Sequence, residues 1–437
     1  MNETSERLRS KIADRSARIG VVGLGYVGLT TAVAFAQAGF QVVGAEMDEA
    51  RRRRISSGDD HIDGVDDDAL ARVVRDRTLI TVATLAEAVP VDVVDICVPT
   101  PLSKSRDPDI SAILGAVEQI RETLRAGQLL VLTSTTYPGT TAELLQPLAE
   151  SAGFRVGEDV FVAYAPERID PGNSEFGLRN TPKVVGGSTS LCTCLATELF
   201  STVLDVVVPV TNPTVAEMTK LLENTFRSIN IGLANEVAIM CHHLGIDVWE
   251  VIDAAATKPY GFMPFYPGPG LGGHCIPVDP TYLSWKMRHL NYNARFIALA
   301  DDVNRHMPEF VMARVTEMLN DQSRSVRGSR VLVLGVAYKT DVADLRESPA
   351  LEILDLLRDA GADASYSDPY LPGPIELKGG PMTSVALSPQ LLQSQDLIMV
   401  VTAHSAFDWG MIADHSHYVL DTRGWSRGRR LAGWQTL

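Results

Sequence analysis

The chain has 437 residues, 45% hydrophobic and 21% charged, the make-up of a globular protein large enough for two or three domains. Its formal net charge of −15 argues against general nucleic-acid binding, which needs a basic surface, but a few local cations could still hold a small anionic ligand. No apolar run reaches membrane-span length, the polar start MNETSERLRSKIADRSAR lacks a signal-peptide core, and five cysteines are no disulfide framework, so a cytoplasmic protein with no membrane partner is expected.

Residues up to about 16 are expected to be a helical or poorly ordered tail. From Ala17 the sequence ARIGVVGLGYVGLTTAVAFAQAGFQVVG sets an apolar strand before Gly23, Gly25 and Gly28. A small-residue helix opening at Tyr26 and Val27 follows, then a second strand that delivers Glu46. This is the dinucleotide fingerprint in context: Gly23 for the tight turn, Gly25 for approach of the pyrophosphate, Gly28 for helix–strand packing. Glu46 is placed for the ribose hydroxyls, which favours NAD over NADP. Arg51 and the three arginines after it could attract a ribose phosphate or could form a solvated helix face.

Runs at 79–83, 94–101 and 129–136 read as buried parallel strands, with Thr100, Ser134 and Thr135 at their carboxyl ends, where open α/β sheets bind ligands and where hydroxyls also cap helices. A further strand at 159–169 ends in Glu167 and Arg168, and strands at 183–187 and 206–210 close this domain. A long helix is predicted from a Thr214 cap to Gly245. On it Glu217, Lys220 and Asn224 share one face, either as a functional set or as an exposed stripe with an i, i+3 ion pair. A helix of this length has an apolar face to bury, and a homodimer built on it is expected.

The stretch FYPGPGLGGHCIPVDPTY, from Phe265 and Tyr266 to Tyr282, is rich in proline and glycine and reads as a stiff loop displaying Cys275. Asp279, four residues on, suits a nucleophile with a nearby base, while a packed structural cysteine is the plain alternative. Cys192 and Cys194 lack a second ligand pair, so no metal is expected. After a second helical region, 282 to about 319, and a polar hinge at 321–329, the strand–glycine–helix–strand pattern returns in degenerate form. VLVLG, Arg346 to Pro349 leading into a helix, Asp368, and strands at 397–404 and 418–424 describe a second Rossmann-like domain. Without an intact fingerprint, it should bind something other than a full dinucleotide. The expected fold class is α/β: two doubly wound Rossmann-like domains at 1–210 and 321–437, joined by a helical domain at 211–320 that carries the cysteine loop.

GLGYVGL with Glu46, VPTP, STTYPGTT, APERI, EMTKLLEN, PGPGLGGHCIPVD and GVAYKTDVADLRESPA occur in one order, and on them the chain resembles the UDP-glucose/GDP-mannose dehydrogenase family over essentially its whole length. The resemblance implies oxidation of the primary alcohol of a nucleotide-linked sugar to a carboxylate, with two NAD and no metal. It implies Cys275 as nucleophile, Lys220 and Asn224 as oxyanion donors, Asp279 as the acid beyond the cysteine, and Thr135 with Glu167 as organisers of water. Lys339 and Arg346 would meet nucleotide sugar and cofactor. Tyr26, Val27, Arg51 and Thr100 join the cofactor side, and Arg168, Phe265, Tyr266 and Gly272 the substrate side. His274 and Val278 stand where members acting on UDP-glucose commonly read GGSC and FPKD. The loop looks instead like the branch acting on UDP-N-acetylhexosamines, most like its UDP-N-acetylglucosamine 6-dehydrogenases, with UDP-N-acetylmannosamine or UDP-glucose as alternatives. A two-electron hydroxy-acid dehydrogenase or a non-enzymatic NAD-binding protein would share the first domain but would not need Cys275.

Overall fold

Short runs of valine, isoleucine and leucine, too short for helices and bounded by glycine or polar turns, become the strands of two sheets. The computed structural model describes residues 3–58, 65–88, 90–103, 105–170, 173 and 175–437. Packing divides the chain into two units, Met1–Glu223 with Thr281–Leu290, and Asn224–Pro280 with Asn291–Leu437.

The first unit holds an eight-stranded sheet. Its strands are β1 (Arg18–Val22), β2 (Gln41–Ala45), β3 (Leu79–Val82), β4 (Val93–Ile96), β5 (Leu129–Leu132), β6 (Phe161–Tyr164), β7 (Lys183–Gly187) and β8 (Val207–Val210). The order is β3-β2-β1-β4-β5-β6-β7-β8, the dinucleotide-binding order extended by two strands, and only the β6–β7 pair is antiparallel. Consecutive residues serve opposite faces: Val21 and Val93 join one apolar cluster, Val22 and Val94 the other, so both faces are covered.

The N-terminal segment is part of this core rather than a loose tail. Helix Glu3–Ala13 buries Leu8 and Ile12, and Lys11 reaches Asp92 at 2.8 Å. The long helix runs Pro213–Leu244, and its first turn is capped by Asn212, whose Oδ1 accepts from the Val215 N–H at 3.0 Å, not by Thr214. Gly245 ends it with φ +67°, as its sequence position suggested. The helical region after the cysteine loop is three helices, Asp279–His289, Arg295–Arg305 and Met307–Asp321. A further helix, Val248–Ala256, capped by Asp247 and burying Val248, Trp249 and Ile252, was not expected from the sequence. None of the helices among the described residues is long and apolar enough to cross a membrane.

The second unit carries β9 (Arg330–Leu334), β10 (Asp363–Ser367), β11 (Pro374–Ile375), β12 (Met382–Thr383), β13 (Leu397–Val400), β14 (Val419–Asp421) and β15 (Trp434–Thr436). Five of them form a parallel sheet in the order β10-β9-β13-β14-β15, and β11 pairs with β12 apart from it. The turn after β9 repeats the turn after β1. Gly23 and Gly335 have φ +87° and +79°, and their N–H groups bond Ala45 O and Ser367 O at 2.8 and 2.9 Å. A Cβ on either would strike the carbonyl at the end of the neighbouring strand, Cys97 O or Thr402 O, at 2.8 and 2.2 Å. The two turns then diverge. After β1 the helix Tyr26–Gln37 starts at once, with no side-chain cap; after β9 the helix waits until Pro349 and is capped by Ser348.

Asp92 gives a pH-dependent test of this packing. Burial disfavours its charge, but Lys11, the Arg18 N–H and Arg125 outweigh that and hold its carboxyl below the ordinary value. A carboxyl lowered by folding stabilises above its unfolded pKa, and the gain is lost as pH falls through the folded one. Asp92→Asn is therefore expected to cost about 2 kcal/mol at neutral pH in denaturant unfolding, and the gap to wild type should close on acidification.

Candidate active site

In the first unit the carboxyl end of the sheet presents the elements of a dinucleotide cradle. A Cβ on Gly28 would lie 1.8 Å from Gly23 O, whereas one on Gly25 would meet nothing within 4 Å, so the backbone of Gly25 borders open space at a bare helix start. Tyr26 and Val27 form the first helical turn, with Val27 packed on the core. The Glu46 carboxylate, just past β2, accepts from Leu24 N at 3.1 Å and Asp48 N at 2.9 Å. A helix start without a side-chain cap, open room at Gly25 and an acid beyond the second strand together fit NAD. Arg52 donates to the Glu46 carbonyl at 2.7 Å, and Arg51 is half-buried in the next helix. Thr100 is buried beyond β4, and Thr135 is half-buried beyond β5, next to Ser134, whose hydroxyl is spent on Ile96 O and Val98 O.

Glu167, after β6, meets the Lys183 ammonium at 3.1 Å and accepts from the N–H groups of Arg168 and Ile169. Burial opposes its charge, yet Lys183 and these donors win and hold the carboxyl below its usual range. Glu167 is thus a fixed anion that can orient water or a hydroxyl. The guanidinium of Arg168 is committed to Glu223 and to Pro182 O. On the long helix, Glu217 is wholly buried and bonds Gly139 N, Thr141 N and the Thr141 hydroxyl. The exposed-stripe alternative therefore fails: Glu217 anchors the STTYPGTT loop and makes no ion pair with Lys220. Burial pushes its carboxyl up, opposed by those donors. Lys220 is 7% exposed, and no described residue hydrogen-bonds its ammonium. A buried cation without a partner is costly, and a negative substrate group would relieve that cost.

In the second unit the cysteine loop lies on the turn that follows β9. Gly273, at φ +87°, donates from its N–H to Arg346 O at 2.9 Å. A Cβ there would lie 2.7 Å from the Tyr338 ring, and one on Gly272 would lie 2.7 Å from Tyr338 Cβ and 2.9 Å from Glu347 O. Cys275 is exposed, and its carbonyl accepts from Val278 N and Asp279 N at 3.2 and 2.8 Å, so the loop winds directly into helix Asp279–His289. Buried Asp279 accepts through Oδ2 from Asn224 Nδ2 on the long helix. The structure thus brings together Asn224, Asp279 and Cys275, and Lys220 sits one turn before Asn224 on the same helix.

The Arg346 guanidinium is paired with Asp344, the main cause of its raised pKa, and its carbonyl does the work of holding the loop. Lys339, next to Tyr338, is half-buried. His274 is pushed down by burial and by Arg346. Tyr266 stacks on Trp249 with ring centroids 5.5 Å apart, donates to Asp253, and lies under the Arg427 guanidinium. Phe265 meets Phe226 edge-on. These two aromatics fasten the start of the loop. Sequence reading missed Asn235, which takes the Gly268 N–H at 2.9 Å, and Arg423, whose Nε donates to Val401 O at 2.7 Å. Burial pushes the Arg423 guanidinium down to about 10, and Asp421 offsets only part of that. An arginine directly after a strand end, in DTRG, was the signal available for it.

Models of three domains match in succession: the UDP-glucose/GDP-mannose dehydrogenase family's NAD binding domain at 17–204, its central domain at 214–306 and its UDP binding domain at 332–427. The chain belongs to this family. It is an NAD-dependent nucleotide-sugar dehydrogenase. The UDP-N-acetyl-D-mannosamine dehydrogenase of Pyrococcus horikoshii is 35% identical over 391 residues, 89% of this chain and 90% of the relative. The UDP-N-acetyl-D-glucosamine 6-dehydrogenase of Pseudomonas aeruginosa is 33% identical over 395 residues, 90% of this chain and 92% of the relative. The solved UDP-D-ManNAc dehydrogenase of Pyrococcus horikoshii superposes with a TM-score of 0.86 at 33% identity, covering 96% of this chain and 98% of that one.

Gly273→Ala tests the seating of the cysteine loop. Positive φ and overlap with Tyr338 should together cost about 1–3 kcal/mol of local strain. The expected result is a large loss of kcat with NAD affinity unchanged, read by steady-state kinetics and by NAD titration; unchanged kcat would dismiss the seating argument.

Proposed function

We propose that the enzyme performs the four-electron oxidation of C6 of a UDP-N-acetylhexosamine to the uronic acid. The observation that carries this reading is the exposed Cys275 at the head of a helix, with Asp279 held by Asn224 one helical turn on. When bound, NAD supplies the hydride acceptor for both oxidations. Cys275 adds as thiolate to the aldehyde left by the first oxidation and forms a thiohemiacetal. The second oxidation makes this a thioester, and water releases the acid and restores the thiol. The helix start behind Cys275 favours negative charge there. Lys220 and the Asn224 amide donate to the oxyanion of each tetrahedral species. Asp279 takes a proton from the attacking water, and Glu167 with Thr135 orients that water. Lys339 and Arg423 offer charge to the diphosphate. The division at 210 and 320 then separates cofactor, catalytic and nucleotide functions. Five free cysteines suit a reducing cytoplasm.

Among epimers, UDP-N-acetylmannosamine stands first, since relatives 35% and 34% identical to this chain bear that name. The glucosamine epimer, expected from the loop, keeps the support of one relative at nearly the same identity. The test is to incubate enzyme and NAD with UDP-N-acetylmannosamine, UDP-N-acetylglucosamine and UDP-glucose while following NADH and acid. Two NADH per acid are expected, and one per product would reject the thioester route. Cys275→Ser should lower steady-state turnover on the order of a thousandfold or more, as loss of a covalent nucleophile does. Asp279→Asn should accumulate a sugar adduct on Cys275, visible in intact mass.

We propose a homodimer as the working form. Leu233, Met240 and Leu244 are exposed at spacings of seven and four along the long helix, an apolar face that requires a cover. Sedimentation should show a dimer, and Met240→Asp should shift it toward monomer; a monomeric wild type at micromolar concentration would exclude it.

A further inference from the structure

Lys339 sits in the turn after β9, and this turn is tied at both ends by groups that do not belong to it. At the entry, Asp368 Oδ2 accepts from Val336 N and Ala337 N at 2.7 and 3.2 Å, and the Thr402 hydroxyl donates to Ala337 O at 2.6 Å. At the exit, Asp341 N donates to His404 Nδ1 at 2.9 Å, and Asp341 Oδ1 accepts from Ser405 N at 2.8 Å. Asp341 is at φ +60°, a conformation with little support of its own. His404 is fully buried, and its Nε2 lies 3.0 Å from Asp368 Oδ2. A backbone N–H can only donate, so Nδ1 is bare and the proton is on Nε2, facing Asp368. One imidazole therefore spans the entry and the exit of the turn. Tyr370 and Phe407 close over the ring, with centroids 5.0 and 5.6 Å away, and Trp409 Nε1 donates to the His404 carbonyl at 3.0 Å.

We propose that His404 is a positioning residue for nucleotide binding: its neutral Nε2–H tautomer fixes the turn that presents Lys339 to the diphosphate. This rests on the reading that Lys339 meets the nucleotide. The two ring nitrogens can be removed separately, because an asparagine amide reaches the place of Nδ1 and a glutamine amide the place of Nε2. His404→Gln keeps the link to Asp368 and frees the exit. His404→Asn keeps the Asp341 N–H bound and gives up the link to Asp368.

The test titrates the full-length protein with UDP and measures KM for the best nucleotide sugar, KM for NAD and kcat. His404→Gln should weaken UDP by about tenfold, the worth of one lost hydrogen bond at the site, with kcat and the KM for NAD within about twofold. His404→Asn should keep UDP affinity within about threefold of wild type. In a Lys339→Ala background His404→Gln should add almost nothing, since both act through one contact. Asp341→Gly, which suits the positive φ but deletes the tie to Ser405, should weaken UDP in the same direction and stands in if His404→Gln does not fold. If Lys339→Ala weakens UDP but His404→Gln does not, or adds its full effect on top, His404 is only a packing residue and the inference is overturned. If Lys339→Ala leaves UDP affinity unchanged, the reading beneath it has failed instead.

Discussion

The contact between Gly272–Gly273 and the Tyr338 side chain is the constraint on which the site depends. Only a hydrogen fits where each Cβ would stand, since the nearest atoms would be 2.7 Å away. The hydrogen bond from Gly273 N to Arg346 O then fixes the loop along its length. Two motifs separated by some seventy residues, GLGGHC and the GVAYK to RESP segment, are in this way halves of one joint. The cysteine is displayed because its neighbours are pinned. Arg346 shows the economy of the arrangement: its side chain answers Asp344 while its carbonyl holds the cysteine loop.

A pinned loop would be of little use if the carboxylate beside it could drift. Asp279 is the first residue of a helix, its backbone bonded to Cys275 O and its side chain to Asn224. Asp279 and Cys275 therefore share one turn of backbone, and their spacing is set by helical geometry rather than by side-chain choice. Glu167 shows a different solution to holding an anion. It is half-buried, yet Lys183 and two backbone donors keep it charged, so it can order its surroundings without giving or taking a proton near neutral pH.

The parts of the fold with strong local grammar were legible in the sequence. Gly23, Gly25, Gly28 and Glu46 announce a strand–turn–helix–strand unit because each glycine answers a separate steric demand. The degenerate second unit was readable from its strands even without that fingerprint. Contacts between distant segments were not readable. Nothing local marks Asn235 as the acceptor for Gly268 N, or Arg423 as a half-desolvated guanidinium beneath the loop. The spacing of Glu217, Lys220 and Asn224 correctly put three polar residues on one face, but only the fold shows that Glu217 serves the STTYPGTT loop. Thr214 looked like a helix cap, and Asn212 took the part because either residue type can accept an N–H and the helix starts two residues earlier, at Pro213.

The turn after β9 has a consequence for redesign. Its glycine, Gly335, is folded like Gly23, and an acid follows the second strand in both units. Glu46 takes one N–H of its turn, whereas Asp368 takes two and is itself braced by a buried histidine. Writing glycines at positions 337 and 340 would restore the letters of a dinucleotide fingerprint without restoring a vacancy. The negative charge that a pyrophosphate would bring is already present as an internal residue, and the following helix already has its own cap in Ser348. A graft of cofactor specificity onto this unit would have to evict Asp368 before any glycine mattered. A domain can lose a ligand by absorbing its charge into the chain, and a search for missing glycines alone would not detect that such an exchange had taken place.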